Sequence, residues 1–500
     1  MDIKVVSGTQ GVSPQEMEQR IDAVLRGYRA QVDDAKYQCL AALAESLRAT
    51  TPLSYMAAAS EDQIASWLDI FLGLLEAPRQ QLVVALEPLE VEGHALLVTN
   101  SPDAPFLLDS VQSYLLSHHI DFRLIAHPIL TVHRQQDKLV AIDSIEAVGP
   151  KESFIIVEIE GVSSETFLRI EQGVRKALLA TLAVHQDGAA MNARLQDMQV
   201  LAQKGGFADF WSWLQDGNFL PFGYHGLNLS KDRRGATTVH LQVEDSLGIP
   251  FDPEEVDLSS PRPLGDCHEP TCARLQRDRD VVVDTLERVS LVYRADPLVY
   301  IGVREEMADG RQLEHIFLGL FSPRSADELA FNVPALQQRF EDVLNRLHIL
   351  PGSHDYRKTH EIFNTFPKVE LFFMSDEELT QTVRSFALLY RHDAIKIVAT
   401  RSLAVRGITL LVIMPRNYYS SERVTRIEHY LSLFFQTKRV VSKVIHISPD
   451  FISLHVHIHV DQSKIVLDMD RLERGLSRKI RPWDLKIRNQ LEHRLGEVEG

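Results

Sequence analysis

The residues best suited to bind a ligand lie in the segment 100–110. They follow an apolar run, Ala95-Leu96-Leu97-Val98, and precede an amphipathic stretch, so the pattern predicts a turn between a strand and a helix. The first N–H groups of a helix have no intrahelical partner and carry the positive end of its dipole, which favours a carboxylate or phosphate there. The candidate ligand-binding residues are Asn100, Ser101, Asp103, Phe106, Asp109 and Ser110.

The same segment also fits an ordinary capped turn without a ligand. In that interpretation Pro105 lies in the first helical turn, and Ser101 or Asp103 accepts a hydrogen bond from the helix N–H groups. Local sequence leaves both interpretations open.

Histidines near the end of the chain are the candidates for metal binding. His455, His457 and His459 alternate with apolar residues, so a strand would place them on one face, with His446 on a neighbouring strand. The alternative is the solvent-facing side of a half-buried strand. We favour this alternative because no Cys or acidic residue lies between them, and we predict no metal site.

The cysteines indicate a reducing compartment. Cys39, Cys267 and Cys272 are too few for a disulfide framework. Cys267, His268 and Cys272 offer three ligands where a structural zinc ion needs four, so we predict no zinc there.

Composition and charge exclude several classes of protein. The chain has 500 residues, 45% of them apolar and 24% charged, which suggests roughly two to four globular domains. The net charge of −16 argues against nucleic-acid or anionic-membrane partners. No run approaches the length of a membrane span, and Met1-Asp2-Ile3-Lys4 lacks the apolar core of a signal peptide, so we expect a cytoplasmic protein.

The order of elements indicates an α+β, multi-domain chain. We expect a helical lead-in at 1–89 and, at 90–200, an α+β unit with its helices on one face of the sheet. A mixed α/β unit at 205–350 follows, then a unit at 365–465 that repeats the element mix of the first, and a charged helical segment at 466–500. Individual expectations include a helix at 105–119, one strand at 122–133 and a strand at 289–294.

Motifs of dinucleotide chemistry are missing from the sequence. It contains neither a G-x-G-x-x-G fingerprint nor a phosphate-binding Walker loop. We therefore predict no catalytic residues and no cofactor in this chain.

Short segments spread along the chain resemble, in the same order, the N-terminal region of the large bacterial NAD-specific glutamate dehydrogenases. They are PFLLDSV (105–111), IAHPIL (125–130), FLPFGY (219–224), SLGI (246–249), YIGV (300–303), HIFLGLF (315–321), GSHD (352–355), FPKVELF (366–372) and VIMPRNYY (412–419).

The resemblance implies a fold, and it implies that catalysis belongs to a different region of the family's chain. It implies ACT-like domains, of ferredoxin-like βαββαβ order, at 90–200 and 365–465, flanking a PAS-like middle domain at 205–350. The turn at 100–110 then lies where such modules commonly bind ligands. In the family, the half that binds NAD and converts glutamate to 2-oxoglutarate and ammonia lies downstream, and this chain has no counterpart of it.

We therefore expect a non-catalytic regulatory or oligomerisation region that senses amino acids. Its partners would be another copy of the chain or a catalytic glutamate dehydrogenase region. Two alternatives stay open: a glutamate dehydrogenase subunit or fragment that is active only with a catalytic half, and a purely structural interaction module. The sequence does not distinguish a fragment from a stand-alone relative.

Overall fold

The computed structural model describes most of the chain in two compact units. The first unit is Met1–Asp187 with Ser290–Asp296, and the second is Gly188–Val289 with Pro297–Gly500. The described residues are 14–51, 59–76, 82–89, 93–136, 138–143, 147–232, 235–251, 258–267, 269–276, 280–365, 368–389, 395–400, 408–437, 440–447, 451–458, 460 and 468–480.

The first unit is an antiparallel sheet with helices before, within and after it. Its helices are α1 (Pro14–Arg29), α2 (Asp34–Thr50), α3 (Glu61–Glu76), α4 (Leu107–Ser117) and α5 (Ser164–Asp197), the last of which continues into the second unit. Its strands are β1 (Val83–Pro88), β2 (Ala95–Pro102), β3 (Asp121–Ala126), β4 (Ile129–Gln135), β5 (Lys138–Asp143) and β6 (Lys151–Glu160). The order of neighbours is β1-β2-β6-β4-β5, and β3 also pairs with β6.

Helices cover both faces of this sheet. Leu96 and Val98 of β2 pack in one core with α1, α2 and α3, whereas Leu97 packs in another with α4 and α5. The helices of the unit expected at 90–200, α4 and α5, lie on one face as expected, whereas the helices of the lead-in cover the other face. The physical reason is that the segment expected to be a lead-in has an apolar surface of its own, which it buries against the sheet.

Three local elements differ from the expectations. β1 lies within the segment expected to be a helical lead-in, and it forms the sheet edge beside β2. The strand expected at 122–133 is interrupted at His127 and Pro128, where β3 ends and β4 begins. The expected helix at 105–119 is shorter, because Phe106 has a left-handed backbone and the helix begins after it.

The middle of the chain forms a second antiparallel sheet, in the second unit. Its neighbour order is β10-β8-β7-β13-β12-β11, and β9 pairs with β7. The strands are β7 (Phe219–Lys231), β8 (Thr237–Leu241), β9 (Leu247–Gly248), β10 (Arg262–Pro263), β11 (Val281–Val289), β12 (Pro297–Glu306) and β13 (Gln312–Phe321).

Short helices accompany this sheet. They are α6 (Gln199–Gly205), α7 (Ala208–Trp213), α8 (Glu269–Leu275), α9 (Pro323–Asp327), α10 (Pro334–Arg346), α11 (His354–Thr365), α12 (Lys368–Phe373) and α13 (Asp376–Leu389). The strand expected at 289–294 is wrong, since β11 ends at Val289 and Ser290–Asp296 forms a closed loop that belongs to the first unit. The Ser290 N–H donates to the Asp296 carbonyl oxygen at 2.8 Å and closes that loop.

The last part of the chain repeats the topology of the first sheet. It contains β14 (Lys396–Thr400), β15 (Ile408–Pro415), α14 (Ser421–Phe435), β16 (Val440–Ile447), β17 (Phe451–Ile458) and α15 (Met469–Ile480). The neighbour order β14-β15-β17-β16 corresponds to β1-β2-β6-β3. Both sheets therefore follow ββαββα, apart from the β4–β5 hairpin in the first.

This order differs from the implied βαββαβ by the position of one strand. The edge strand beside the central pair comes before that pair in the chain, not after it. An antiparallel edge can be filled from either end of the chain, because it needs only backbone pairing.

Leu472 and Leu476 of α15 are fully buried in the core of this last sheet, so part of the segment expected at 466–500 belongs to that core. Residues 481–500 lie outside the described residues. Among the helices described, none combines the length and apolar character needed to cross a bilayer.

Candidate functional site

The turn between β2 and α4 has an unusual helix start. Phe106 occupies the N-cap position with φ 69° and ψ 5°, and its side chain makes no capping hydrogen bond. Ser101 and Asp103 therefore do not cap it: the Ser101 hydroxyl donates to the Pro102 carbonyl oxygen at 3.1 Å, and Asp103 is held through its own N–H. The capped-turn interpretation is wrong in this detail. The N-cap residue itself therefore offers the positive end of α4 no side-chain acceptor.

The alternation of β2 removes Asn100 from the candidate group. Asn100 faces the core of α1, α2 and α3, where its Nδ2 donates to Glu152 Oε2 at 3.0 Å. Arg134 donates to the same carboxylate through Nε at 2.8 Å, and both charged side chains are nearly fully buried. Because successive strand residues point to opposite faces, Asn100 serves a buried ion pair, not the turn.

Ser101 lies on the other face and has polar neighbours there. It is directly opposite Ser153 of β6, whose hydroxyl is 2.8 Å from His127 Nε2. Burial lowers the pKa of His127, and the nearby carboxylates of Asp103 and Asp109 oppose that shift. The imidazole is therefore mainly neutral at pH 7, and the two aspartates supply the negative charge.

Ser110 holds the turn in place. It is fully buried, its hydroxyl donates to the Phe106 carbonyl oxygen at 2.7 Å, and Thr181 Oγ1 of α5 is 2.9 Å away. The same hydroxyl accepts the N–H of Tyr293 at 2.9 Å. The Phe106 and Tyr293 rings lie 4.8 Å apart, and Tyr293 also has a left-handed backbone, with φ 68°. Two non-glycine residues with left-handed backbones, in ring contact with each other, are a feature typical of functional sites.

The equivalent turn of the last sheet has an ordinary cap. Ser420 precedes α14 with extended backbone, and its hydroxyl accepts the Arg423 N–H at 3.2 Å. The two turns share their topology but differ at the helix start. The Ser420 turn therefore offers an internal control for the Phe106 turn.

The histidines of β17 alternate with buried apolar residues. Val456 and Ile458 are fully buried, whereas His455 and His457 on the other face are partly exposed. His455 lies opposite Lys443, and His446 lies opposite Ser453, so β16 does not bring His446 to the other two. His459 and His268 lie outside the described residues. Among those described, no three His, Cys, Asp or Glu side chains group as a metal ion would require.

Comparisons with known proteins agree on one family. A family model for the glutamate dehydrogenase ACT1 domain matches residues 91–174, one for its helical motif 1 matches 333–391, and one for its ACT2 domain matches 396–484. The three matched ranges correspond, in order along the chain, to the first sheet, the helices after the middle sheet, and the last sheet. The chain belongs to the NAD-specific glutamate dehydrogenase family.

Individual relatives carry the same name at low identity. The NAD-specific glutamate dehydrogenase of Pseudomonas aeruginosa is 21% identical over 81% of this chain and 26% of its own length. The enzymes of that name from Halomonas elongata and Mycobacterium tuberculosis are 22% and 24% identical, over 68% and 63% of this chain. The chain spans about a quarter or less of the length of these relatives, since the other two matches cover 22% and 19% of theirs.

The middle sheet of this family member contains a buried polar relay that sequence reasoning missed. Tyr224 OH is 2.8 Å from His315 Nδ1, and His315 Nε2 is 3.0 Å from Glu305 Oε2. Burial lowers the pKa of His315, and Glu305 opposes that shift. On the neighbouring position of β13, Glu314 accepts a hydrogen bond from Arg304 Nε at 3.0 Å. The sequence does contain a signal for this relay: Glu314 and His315 are adjacent polar residues within an otherwise apolar strand.

A second buried histidine in the middle sheet leads to a pH prediction. His225 is 1% exposed, its Nε2 is 3.0 Å from the Ile249 carbonyl oxygen, and burial lowers its pKa to about 4. The unfolded chain takes up this proton below pH 6.5 but the folded chain only near pH 4. Stability therefore falls as the pH is lowered through that window, by up to about 3 kcal/mol.

Urea unfolding of the second unit at pH 7 and pH 5 measures this effect. His225→Asn should reduce the change in the free energy of unfolding between pH 7 and pH 5, whether or not the substitution itself alters stability at pH 7. His354→Asn, at an exposed position of α11 in the same unit, should leave the pH dependence of unfolding as in the wild type. Equal pH dependence in wild type and His225→Asn would contradict the assignment.

Proposed function

We propose that this chain is a non-catalytic regulatory and assembly region that binds a free amino acid at the turn between β2 and α4. The observation that carries the proposal is the start of α4, where Phe106 occupies the N-cap without a side-chain acceptor. A ligand carboxylate would take the place of that acceptor.

The charges around the turn favour a zwitterion over a simple anion. Asp103 and Asp109 lie near a neutral His127, so a phosphate or dicarboxylate would meet two negative charges. An amino acid places its carboxylate at the helix start and its ammonium group at Asp103 and Asp109. Ser101 and the Phe106 ring would complete the contacts, whereas Ser110 positions the turn and Asn100 takes no part.

The remaining domains would serve assembly. We propose that the middle sheet is the PAS-like domain implied by the family resemblance, supported by its single antiparallel sheet with β7 and β13 at the centre. The edge strands of the ACT-like sheets would pair with another copy or with a catalytic region. Val441 on the edge strand β16 is 61% exposed, which is unusual for an apolar strand residue and suits such pairing.

Catalysis would then come from elsewhere. The relatives are named as NAD-specific glutamate dehydrogenases, and we propose that the NAD-dependent reaction requires a region other than this one, with the whole operating in the cytoplasm. Mixing the chain with glutamate and NAD and following NADH absorbance separates this proposal from the enzyme alternative. We expect no NADH formation by the chain alone.

Calorimetry of the full chain with a panel of free amino acids tests the binding proposal. We expect saturable heat for at least one of them and none for inorganic phosphate, because only the zwitterion satisfies both the helix start and the aspartates. Heat with phosphate but with no amino acid would favour a plain anion site. Heat with neither would leave the interaction-module alternative.

A further inference from the structure

Two cysteines flank the beginning of α8, outside the site above. Both Cys267 and Cys272 are partly exposed thiols. The Cys267 N–H donates to the Leu264 carbonyl oxygen at 3.1 Å, and the Cys272 thiol donates to the same oxygen at 2.6 Å. Cys272 Sγ is also 3.3 Å from the carbonyl oxygen of Cys267. The two residues therefore converge on one point of the chain.

The positions of the pair on the helix explain this convergence. α8 begins at Glu269, so Cys267 lies two positions before the helix, at the N′ spacing, and Cys272 is the fourth helical residue (N4). Side chains at N′ and N4 pack against each other in the hydrophobic staple. Two cysteines have this spacing here, and the distance of 3.3 Å from Cys272 Sγ to the Cys267 carbonyl oxygen places that sulfur beside the backbone of Cys267.

We propose that Cys267 and Cys272 are a redox-active thiol pair that a low-molecular-weight disulfide converts into an intramolecular disulfide. The thiolate of one cysteine attacks the small disulfide, forms a mixed disulfide and releases one small thiol. The second thiolate then attacks the protein sulfur of that mixed disulfide and expels the second small thiol. The protein loses two hydrogens, and the small disulfide is reduced to two thiols.

The pair lies on the helix that carries a buried ion pair. Arg274, near the end of α8, is 4% exposed, and its Nε donates to Asp284 Oδ2 of β11 at 3.0 Å. A disulfide at the start of this two-turn helix would restrain α8, the helix that contains Arg274. Oxidation state and the packing of α8 on the middle sheet are thereby linked.

Cys39 provides the contrast within the same chain. It is 4% exposed, and burial raises the pKa of its thiol. A thiol that is both inaccessible and protonated reacts slowly with disulfides. Cys39 therefore serves as the internal control for selectivity.

The test treats the full chain with oxidised glutathione at pH 8 and follows intact mass and non-reducing peptide maps. We expect a product lighter by two hydrogens, with Cys267 joined to Cys272 and Cys39 unmodified. Cys272→Ser and Cys267→Ser should each stop at a glutathione adduct on the remaining cysteine of the pair. Stable glutathione adducts on both cysteines of the wild type, bonds between chains, or no reaction at either cysteine would overturn the proposal.

Discussion

We expect Arg134→Met to lower the free energy of unfolding of the first unit by about 3–5 kcal/mol. Arg134 and Glu152 have side chains that are 7% and 3% exposed, and Arg134 also donates through NH1 to the Leu75 carbonyl oxygen of α3 at 2.9 Å. Removing the guanidinium leaves a buried carboxylate without its cationic partner, beside the neutral donor Asn100. Hydrogen exchange of the β2 and β6 amides should accelerate about 10²- to 10⁴-fold.

Two control variants separate buried charge from a general loss of packing. Arg134→Met combined with Glu152→Gln removes both charges and keeps an acceptor for Asn100, so we expect it to recover at least half of the loss. Arg123→Ala breaks the exposed pair with Glu160, whose side chains are 49% and 36% exposed, and should cost less than about 1 kcal/mol. A double variant as unstable as Arg134→Met alone would contradict the buried-charge explanation.

We expect Trp211→Ala to cost the second unit about 3–5 kcal/mol of stability. The indole is fully buried, packs edge-on against Phe317 with ring centroids 5.7 Å apart, and donates through Nε1 to the Leu195 carbonyl oxygen at 2.7 Å. Truncation leaves a large cavity between α7 and the middle sheet. Urea unfolding and, separately, hydrogen exchange of the β13 amides measure this loss in the free energy of unfolding.

Trp211→Phe is the matched control. It keeps a ring against Phe317, and the Leu195 carbonyl oxygen still accepts Gln215 Nε2 at 2.9 Å. No buried acceptor is left without a donor, so the cost should be only about 1–2 kcal/mol. Equal losses for alanine and phenylalanine would show that the hydrogen bond, not the cavity, dominates.

Much of the fold could be predicted from apolar patterns, but the covering of the sheet could not. The runs in β2 and β6 are buried along nearly their whole length, which is typical of strands covered on both faces. A short apolar run does not say whether it is buried on one face or two. β1 was missed because it is a short edge strand that follows a long helical segment. Ser290–Asp296 has the apolar residues of a strand, but the positive φ at Tyr293 and the hydrogen bond from Ser290 to Asp296 make it a loop.

The sequence suggests the candidate turn, but it does not show which of its side chains lie together. A contiguous window that crosses the end of a strand contains residues of both faces, so Asn100 was grouped with Ser101 although they point to opposite sides. His127 and Tyr293 join the turn through tertiary contacts, which no local spacing shows. The left-handed conformation of Phe106 was likewise unpredictable, since aromatic residues rarely adopt it.

The two ACT-like turns give the amino-acid proposal its sharpest comparison. Asp109 lies in the first turn of α4, behind the uncapped Phe106, and Glu422 lies in the first turn of α14, behind the capping Ser420. Asp109→Ala and Glu422→Ala remove one carboxylate each from equivalent places. Only the first belongs to the proposed ammonium contact.

Calorimetry of wild type, Asp109→Ala and Glu422→Ala with the amino acid that binds best is the most direct test. We expect Asp109→Ala to weaken binding at least about tenfold, a loss of about 1.4 kcal/mol, and Glu422→Ala to bind as the wild type does. Absence of amino-acid binding to the wild type, or equal affinity of the two variants, would contradict a sensing role for the turn between β2 and α4.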